Sequence, residues 1–270
     1  EGEASSRRDR AFLAWLAGPR LQLAYDLTVG SEGLDAGYTE AFSAWGVDLV
    51  ALDVEQAAER IRAGKIAEQM VHGLDRLVEF LCATGDRAAP RLALSRKLTA
   101  VAMAADGDPW RNRVRQAFLD GDLAFLQSLS LEAGLDRQAA ASLDLLAGAL
   151  RVMADLPSAV RVLRIAAQRE PGEYQIVHSL ERALHQIGAM PREILWFSLR
   201  GVSLRSDSAH AWHHLADAFQ ANGDVELARQ AYRRMAECGP DYPLAATVLT
   251  MQRGRQLLSQ GHVGPAERLF

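Results

Sequence analysis

The chain has 270 residues, 49% hydrophobic and 24% charged, which excludes disorder and suffices for a core of one or two domains. Its 30 Lys and Arg against 34 Asp and Glu leave a formal charge of −4 and a pI near 6.0, so no cationic excess exists to hold a nucleic-acid backbone. Cys82 and Cys238, too few and too far apart for a disulfide framework or a cysteine zinc site, read as small buried hydrophobes, and uncharged stretches such as 98–105 fall far short of the roughly 18 apolar residues of a membrane span.

Ala, Leu, Arg, Glu and Gln dominate the long segments, and apolar residues recur at spacings of three and four, so the fold class is all-α. The chain starts at Glu1 rather than Met, without the basic-then-apolar order of a signal peptide, and reads as a segment of a longer protein. Residues 1–33 are expected to form an N-terminal helix and linker tail, with a loop or hinge from Gly30 to Asp35. An irregular helical region, 34–134, follows. In it Asp53–Arg62 and Lys65–Leu81 pair across Gly64, and a helix over Asp86–Ala105 is interrupted by Pro90. Trp110–Leu119 and Leu123–Leu131 form a degenerate hairpin, with Asp108 as cap, Pro109 in the first turn and Gly121-Asp122 as the bend.

From 135 onward the pattern becomes regular. Helices are predicted near 135–154, 156–169, 173–187, 190–204, 208–222, 224–238, 243–260 and 263–270. Pro157, Pro191 and Pro265 mark starts, and Gly188, Gly223 and Gly261 mark stops. Short turns make neighbouring helices antiparallel, and the hairpins repeat. Trp212, Leu215, Ala216 and Phe219 precede Gly223, Ala228, Tyr232 and Pro240. This order resembles the tetratricopeptide (TPR) repeat over 209–242, with Leu143, Leu146, Ala147, Leu150, Ala159, Leu163, Ala166 and Pro171 in the same slots over 140–173. The unit 174–208 lies between them, and a partial unit over 247–270 follows. The resemblance implies a helical-hairpin solenoid in which small residues let paired helices approach while aromatic residues fill the space between hairpins.

A second resemblance spans nearly the whole chain. Asp9-Arg-Ala-Phe-Leu13, Tyr38-Thr-Glu-Ala-Phe42, Trp45-Gly-Val-Asp48, Ala57-Ala-Glu-Arg-Ile-Arg62 and, most distinctively, Asp108-Pro-Trp-Arg-Asn-Arg-Val-Arg115 occur in this order. The succession is similar to the C-terminal region of planctomycete-type bacterial serine/threonine protein kinases. The resemblance implies a kinase domain on the N-terminal side, often followed by a membrane segment, so the region is expected in the cytoplasm or at a membrane anchored through the preceding part.

No HRD, DFG, glycine-rich phosphate loop, GxSxG or HExxH pattern occurs in these residues, so the chain itself is expected to be non-catalytic and to need no cofactor. His210, His213 and His214 have helical spacing that can align two imidazoles. Without a paired Cys or a nearby Glu, however, they are read as histidines around Trp212 rather than a metal site. Trp196, outside the repeat register, is a lesser candidate for a partner contact. The TPR slots turned toward a concave surface are Asp144 and Arg151, then His178, Arg182 and His185, then His213, Asp217 and Gln220. Spacings of three, four and seven place each set on one helix face. Such a face either binds a protein or peptide, with Arg182 as anchor for a carboxylate, or is merely solvated. A structural role remains open beside these, with self-association through 263–270.

Overall fold

The computed structural model describes residues 2–16, 34–83, 89–242, 244–248 and 250, and all regular elements among them are helical. The chain is therefore all-α. It forms two compact units, one ending at Pro171 and the other beginning at Gly172.

The first unit contains α1 (Gly2–Leu16), α2 (Leu34–Trp45), α3 (Val54–Arg62), α4 (Ala67–Ala83), α5 (Ala89–Ala105), α6 (Pro109–Asp120), α7 (Leu123–Leu129), a 3-10 turn (Leu135–Arg137), α8 (Ala140–Val152) and α9 (Leu156–Arg169). Local chemistry sets several starts. Asp53 and Gln56 form a reciprocal capping box on α3, and Asp108 accepts from the backbone N–H groups of Trp110 and Arg111 at the start of α6. The described part of α5 starts at Ala89, so Pro90 lies where its missing N–H breaks no bond within that part. Residues 17–33 and 84–88, which include the expected hinge from Gly30 and the predicted start at Asp86, lie outside the described residues in whole or part.

Phe12, Tyr38, Phe42, Ile61, Met70, Leu74 and Leu98 form the centre of this unit's core. The ring of Phe12 meets Phe42 edge-on at 4.9 Å, Trp15 meets Tyr38 at 4.6 Å, and the Trp45 indole donates to Asp9 Oδ1 at 2.8 Å. Through these contacts α1, the helix expected within 1–33, contributes a buried face to the core. The predicted boundary at 134/135 also differs from the division at 171/172. The reason is that α8 packs on α4, α6 and α7 as well as on α9, so the hairpin over 140–170 belongs to the N-terminal unit. Neither cysteine is fully buried as expected. Cys82 and Cys238 are half-exposed, their thiols 3.9 Å from Ser95 Oγ and 3.7 Å from the Ser206 carbonyl.

One turn recurs through both units. Gly121, Ala154, Gly188 and Gly223 all have positive φ, between 64° and 88°. The N–H of the residue after each bonds the carbonyl five residues back: Asp122 to Ala117, Asp155 to Leu150, Ala189 to Leu184 and Asp224 to Phe219. This left-handed closure satisfies carbonyls at the helix end and reverses the chain. Its recurrence near the 34-residue TPR period makes α6 and α7 a hairpin of the same kind. Ala154 escapes the glycine pattern because only its backbone reveals the turn.

The second unit contains α10 (Tyr174–Gln186), α11 (Pro191–Leu204), α12 (Ala209–Asn222) and α13 (Val225–Cys238), each packed on the next as TPR-like hairpins. In both units the small and aliphatic slots Leu143, Leu146, Ala147, Leu150, Ala159, Leu163, Leu215, Ala216 and Ala228 are buried. Trp212, Phe219 and Tyr232 pack around the cluster of Tyr174, Val202, Leu215 and Ala231 but are only partly buried. The Trp212 indole donates to the Ser206 carbonyl at 2.8 Å, and Arg234 lies over its ring at 5.7 Å. Pro171 and Pro240 occupy turns. Helix resumes at 245–248, whereas residues 251–270, with most of the partial repeat and the self-association segment 263–270, lie outside the described residues.

Candidate functional site

The distinctive block from Asp108 to Arg115 is used for internal construction. Arg111 chelates Asp106 through Nε and Nη2 at 2.6 and 2.7 Å. Asn112 donates to the Met103 and Asp106 carbonyls, and Arg113 donates to Glu132, which also receives the Trp110 indole. Arg115, 2% exposed, donates to both carboxylate oxygens of Asp75 at 2.8 and 2.7 Å and to Asp106 Oδ2 at 2.8 Å. Burial pushes the Asp106 carboxyl up, but hydrogen bonds from Arg111 and Arg115 outweigh it and hold the group below the usual carboxylate range. A cleft of about 280 Å³ runs beside Glu68, His72, Asp75, Asp106, Arg111 and Arg115. The guanidinium and carboxylate groups along it engage one another.

The first two predicted partner-binding residues are turned to the same purpose. Asp144 is buried on α8 with Arg76 Nη2 at 3.1 Å, and Arg151 pairs with Glu79, whose other oxygen lies 3.3 Å from Arg76. Helix α4 thus covers the α8 face expected to form a groove. Gly148 permits the approach, because a Cβ there would lie 2.9 Å from Glu79 Oε2.

The second unit divides the remaining positions. His178, Arg182 and His213 are buried, which corrects the expectation of a solvent-facing polar row and leaves no exposed guanidinium at 182 as carboxylate anchor. His185 and Gln220 are exposed, and Asp217 is half-exposed. Adjoining groups explain the burial of His213: its Nδ1 faces the Tyr242 hydroxyl at 3.2 Å, and its Nε2 is 3.3 Å from Asp217 Oδ2. Tyr232 donates to the same Asp217 carboxylate, and burial together with that negative charge raises its phenol above the ordinary range. On the second helix of the preceding hairpin, Trp196 is exposed as anticipated, stacked edge-on with Phe197 and covered by Arg200 at 5.4 Å.

The histidines form a different constellation from the one their sequence spacing suggested. His213 faces Tyr242 and Asp217, while His178, from the preceding hairpin, meets His210 and His214 with ring centroids 4.7 and 5.0 Å away. His210 and His214 are themselves 4.6 Å apart, and one ring nitrogen of each of the three lies within 4.8 Å of the others. The Tyr174 hydroxyl is 3.2 Å from His210 Nδ1, and Glu181 Oε1 is 3.6 Å from His214 Nδ1. Burial raises the Glu181 carboxyl, yet the neighbouring His214 charge and hydrogen bonds from His214 and Ser198 hold it below the usual range. A second set, Glu181, His185 and His214, shares one histidine with the first and includes an exposed member. The missed partner, His178, holds the slot that His213 holds one repeat later. The one-repeat offset was the available signal, because successive first helices lie side by side in a TPR-like array.

No protein-family model matches this chain, and no curated protein matches it. Among solved structures it is similar to two described as crystal structures of MamA. One has a TM-score of 0.45 and 16% identity, covering 58% of this chain and 90% of the other. The second has a TM-score of 0.42 and 14% identity, covering 60% and 91%.

Proposed function

We propose that the chain is a non-catalytic protein–protein interaction module. The observation that carries this reading is the phased hairpin array of the second unit. It leaves His185 near the end of α10 and Gln220 in the second half of α12 exposed on equivalent first helices, with Asp217 half-exposed beside Gln220 and held in place by Tyr232 and His213. Hairpin arrays offer extended surfaces on which a few side chains select a peptide or protein, and a rigid backing lowers the ordering cost of binding. The partner face of this reading is narrower than the sequence suggested. It comprises a histidine, a carboxylate and an amide, without the buried Arg182.

The assignment to the accessory region of a larger bacterial Ser/Thr kinase rests on the sequence blocks from Asp9 to Arg115. A kinase catalytic loop encoded immediately upstream of Glu1 is its expected confirmation, and an unrelated upstream sequence would remove it. The interaction reading is tested by placing a photocrosslinking residue at Gln220 or His185, with exposed Arg164 on α9 as the control. Capture of one defined partner from positions 185 and 220 but not 164 supports it. Equal labelling from all three, or labelling from 164 alone, places the interface elsewhere.

A further inference from the structure

The buried histidines of the second unit have the attributes of a ligand set rather than of ordinary packing. His210 and His214 are one turn apart on α12, the i, i+4 spacing that aims two imidazoles at one point. His178 arrives from α10, a separate helix, to the same point, and the three residues are 0, 9 and 5% exposed respectively.

We infer that His178, His210 and His214 form a zinc-type metal site that ties the first helices of two successive hairpins together. Imidazole suits first-row divalent metals, and three imidazoles with water in the fourth position are an established zinc donor set. Tetrahedral ligation at about 2.0–2.1 Å sets nitrogens roughly 3.3 Å apart. Small side-chain rotations bring nitrogens now within 4.8 Å to that spacing. The outer groups also suit the task. Ligation through Nε2 of His210 and His214 keeps each Nδ1–H directed at its present neighbour, the Tyr174 hydroxyl and the Glu181 carboxylate. A metal-bound histidine commonly donates to such an acceptor, which fixes its tautomer and raises its basicity. Ser198 in turn holds Glu181 from α11, so the outer contacts engage α11 as well as α10. The site's consequence is a stiffer junction between hairpins.

The test uses the full chain without an affinity tag, stripped with chelator and titrated with Zn2+ by calorimetry. The expected result is one zinc per chain, a melting temperature several degrees higher than the stripped protein, and a zinc X-ray absorption signature of three imidazoles. His178→Asn should weaken binding more than about 100-fold, and Glu181→Gln about 10–100-fold as an outer-shell change. His185→Ala should change it by less than about threefold, since His185 belongs to the second set alone. Should circular dichroism show His178→Asn unfolded, the absorption signature of the unmutated chain and the Glu181→Gln titration decide. Absence of stoichiometric binding, fewer than three imidazoles on the metal, or loss of binding in His185→Ala with retention in His178→Asn would each overturn the assignment.

Discussion

Arg115 in the N-terminal unit and His210 in the C-terminal unit are both almost wholly buried where separate helices meet, and they solve the same problem with different chemistry. Arg115 carries a permanent charge, so the fold surrounds it with Asp75 and Asp106 and extends the pairing through Arg111. His210 carries no permanent charge of this kind, and the fold places it among two other imidazoles and a tyrosine hydroxyl. An ion-paired junction of this kind tolerates no loss of a partner. A junction of imidazoles can exchange a proton or accept a metal, and therefore can be adjusted. In both units polar residues that a repeat pattern assigns to a binding face are spent on joining helices, which teaches that polarity at a TPR slot does not by itself mean exposure.

The contrast breaks most sharply at Arg115. Arg115→Met should destabilise the first unit by about 3 kcal/mol, since it leaves the Asp75 carboxylate without this guanidinium and takes from Asp106 one of its two, and chemical denaturation at pH 7 measures it. The sign of the pH dependence follows from Asp106. Its carboxyl is held below the ordinary value of 3.8, so it contributes stability above the unfolded value that is lost as pH falls through the lower folded one. The difference between the variant and the unmutated chain should therefore narrow below about pH 4; a difference constant from pH 7 to 3 would mean that the carboxylates are not its source.

Trp212→Ala comes next. Its partial burial and its hydrogen bond to Ser206 set the expected loss at about 2–3 kcal/mol, below the range for a fully enclosed Trp. Because hairpin arrays couple mainly through neighbours, hydrogen exchange should quicken in α12 and α13 before the helices of the first unit. Uniform quickening across the chain would abolish the distinction between the two units.

A smaller effect is expected at the start of α6. Asp108→Ala removes a cap that satisfies two backbone donors and should cost about 1 kcal/mol, read as a shift in denaturation midpoint. The smallest concerns the shared turn, where Ala154→Gly should stabilise by roughly 0.5–1 kcal/mol, because alanine there holds a left-handed backbone with φ of 64°. If that variant instead melts lower, the turn at 154 is not equivalent to those at Gly121, Gly188 and Gly223.

The sequence by itself determined the elements and most of the repeat register. Prolines at first turns, Asp caps and glycines after apolar runs are local signals, so the predicted 156–169 and the observed Leu156–Arg169 coincide, and the remaining described helices from α10 to α13 begin within a residue or so of expectation. Aliphatic and small slots such as Leu143, Ala147 and Ala216 followed, because helical periodicity fixes which face turns inward. Only the tertiary structure decided where polar side chains go. The periodicity that puts Asp144 and Arg151 on one face of α8 cannot state that α4 lies across it, and the spacing of His210, His213 and His214 cannot state that His178 joins two of them while Tyr242 takes the third. Those outcomes depend on contacts between residues far apart in the chain, for which local pattern carries no information.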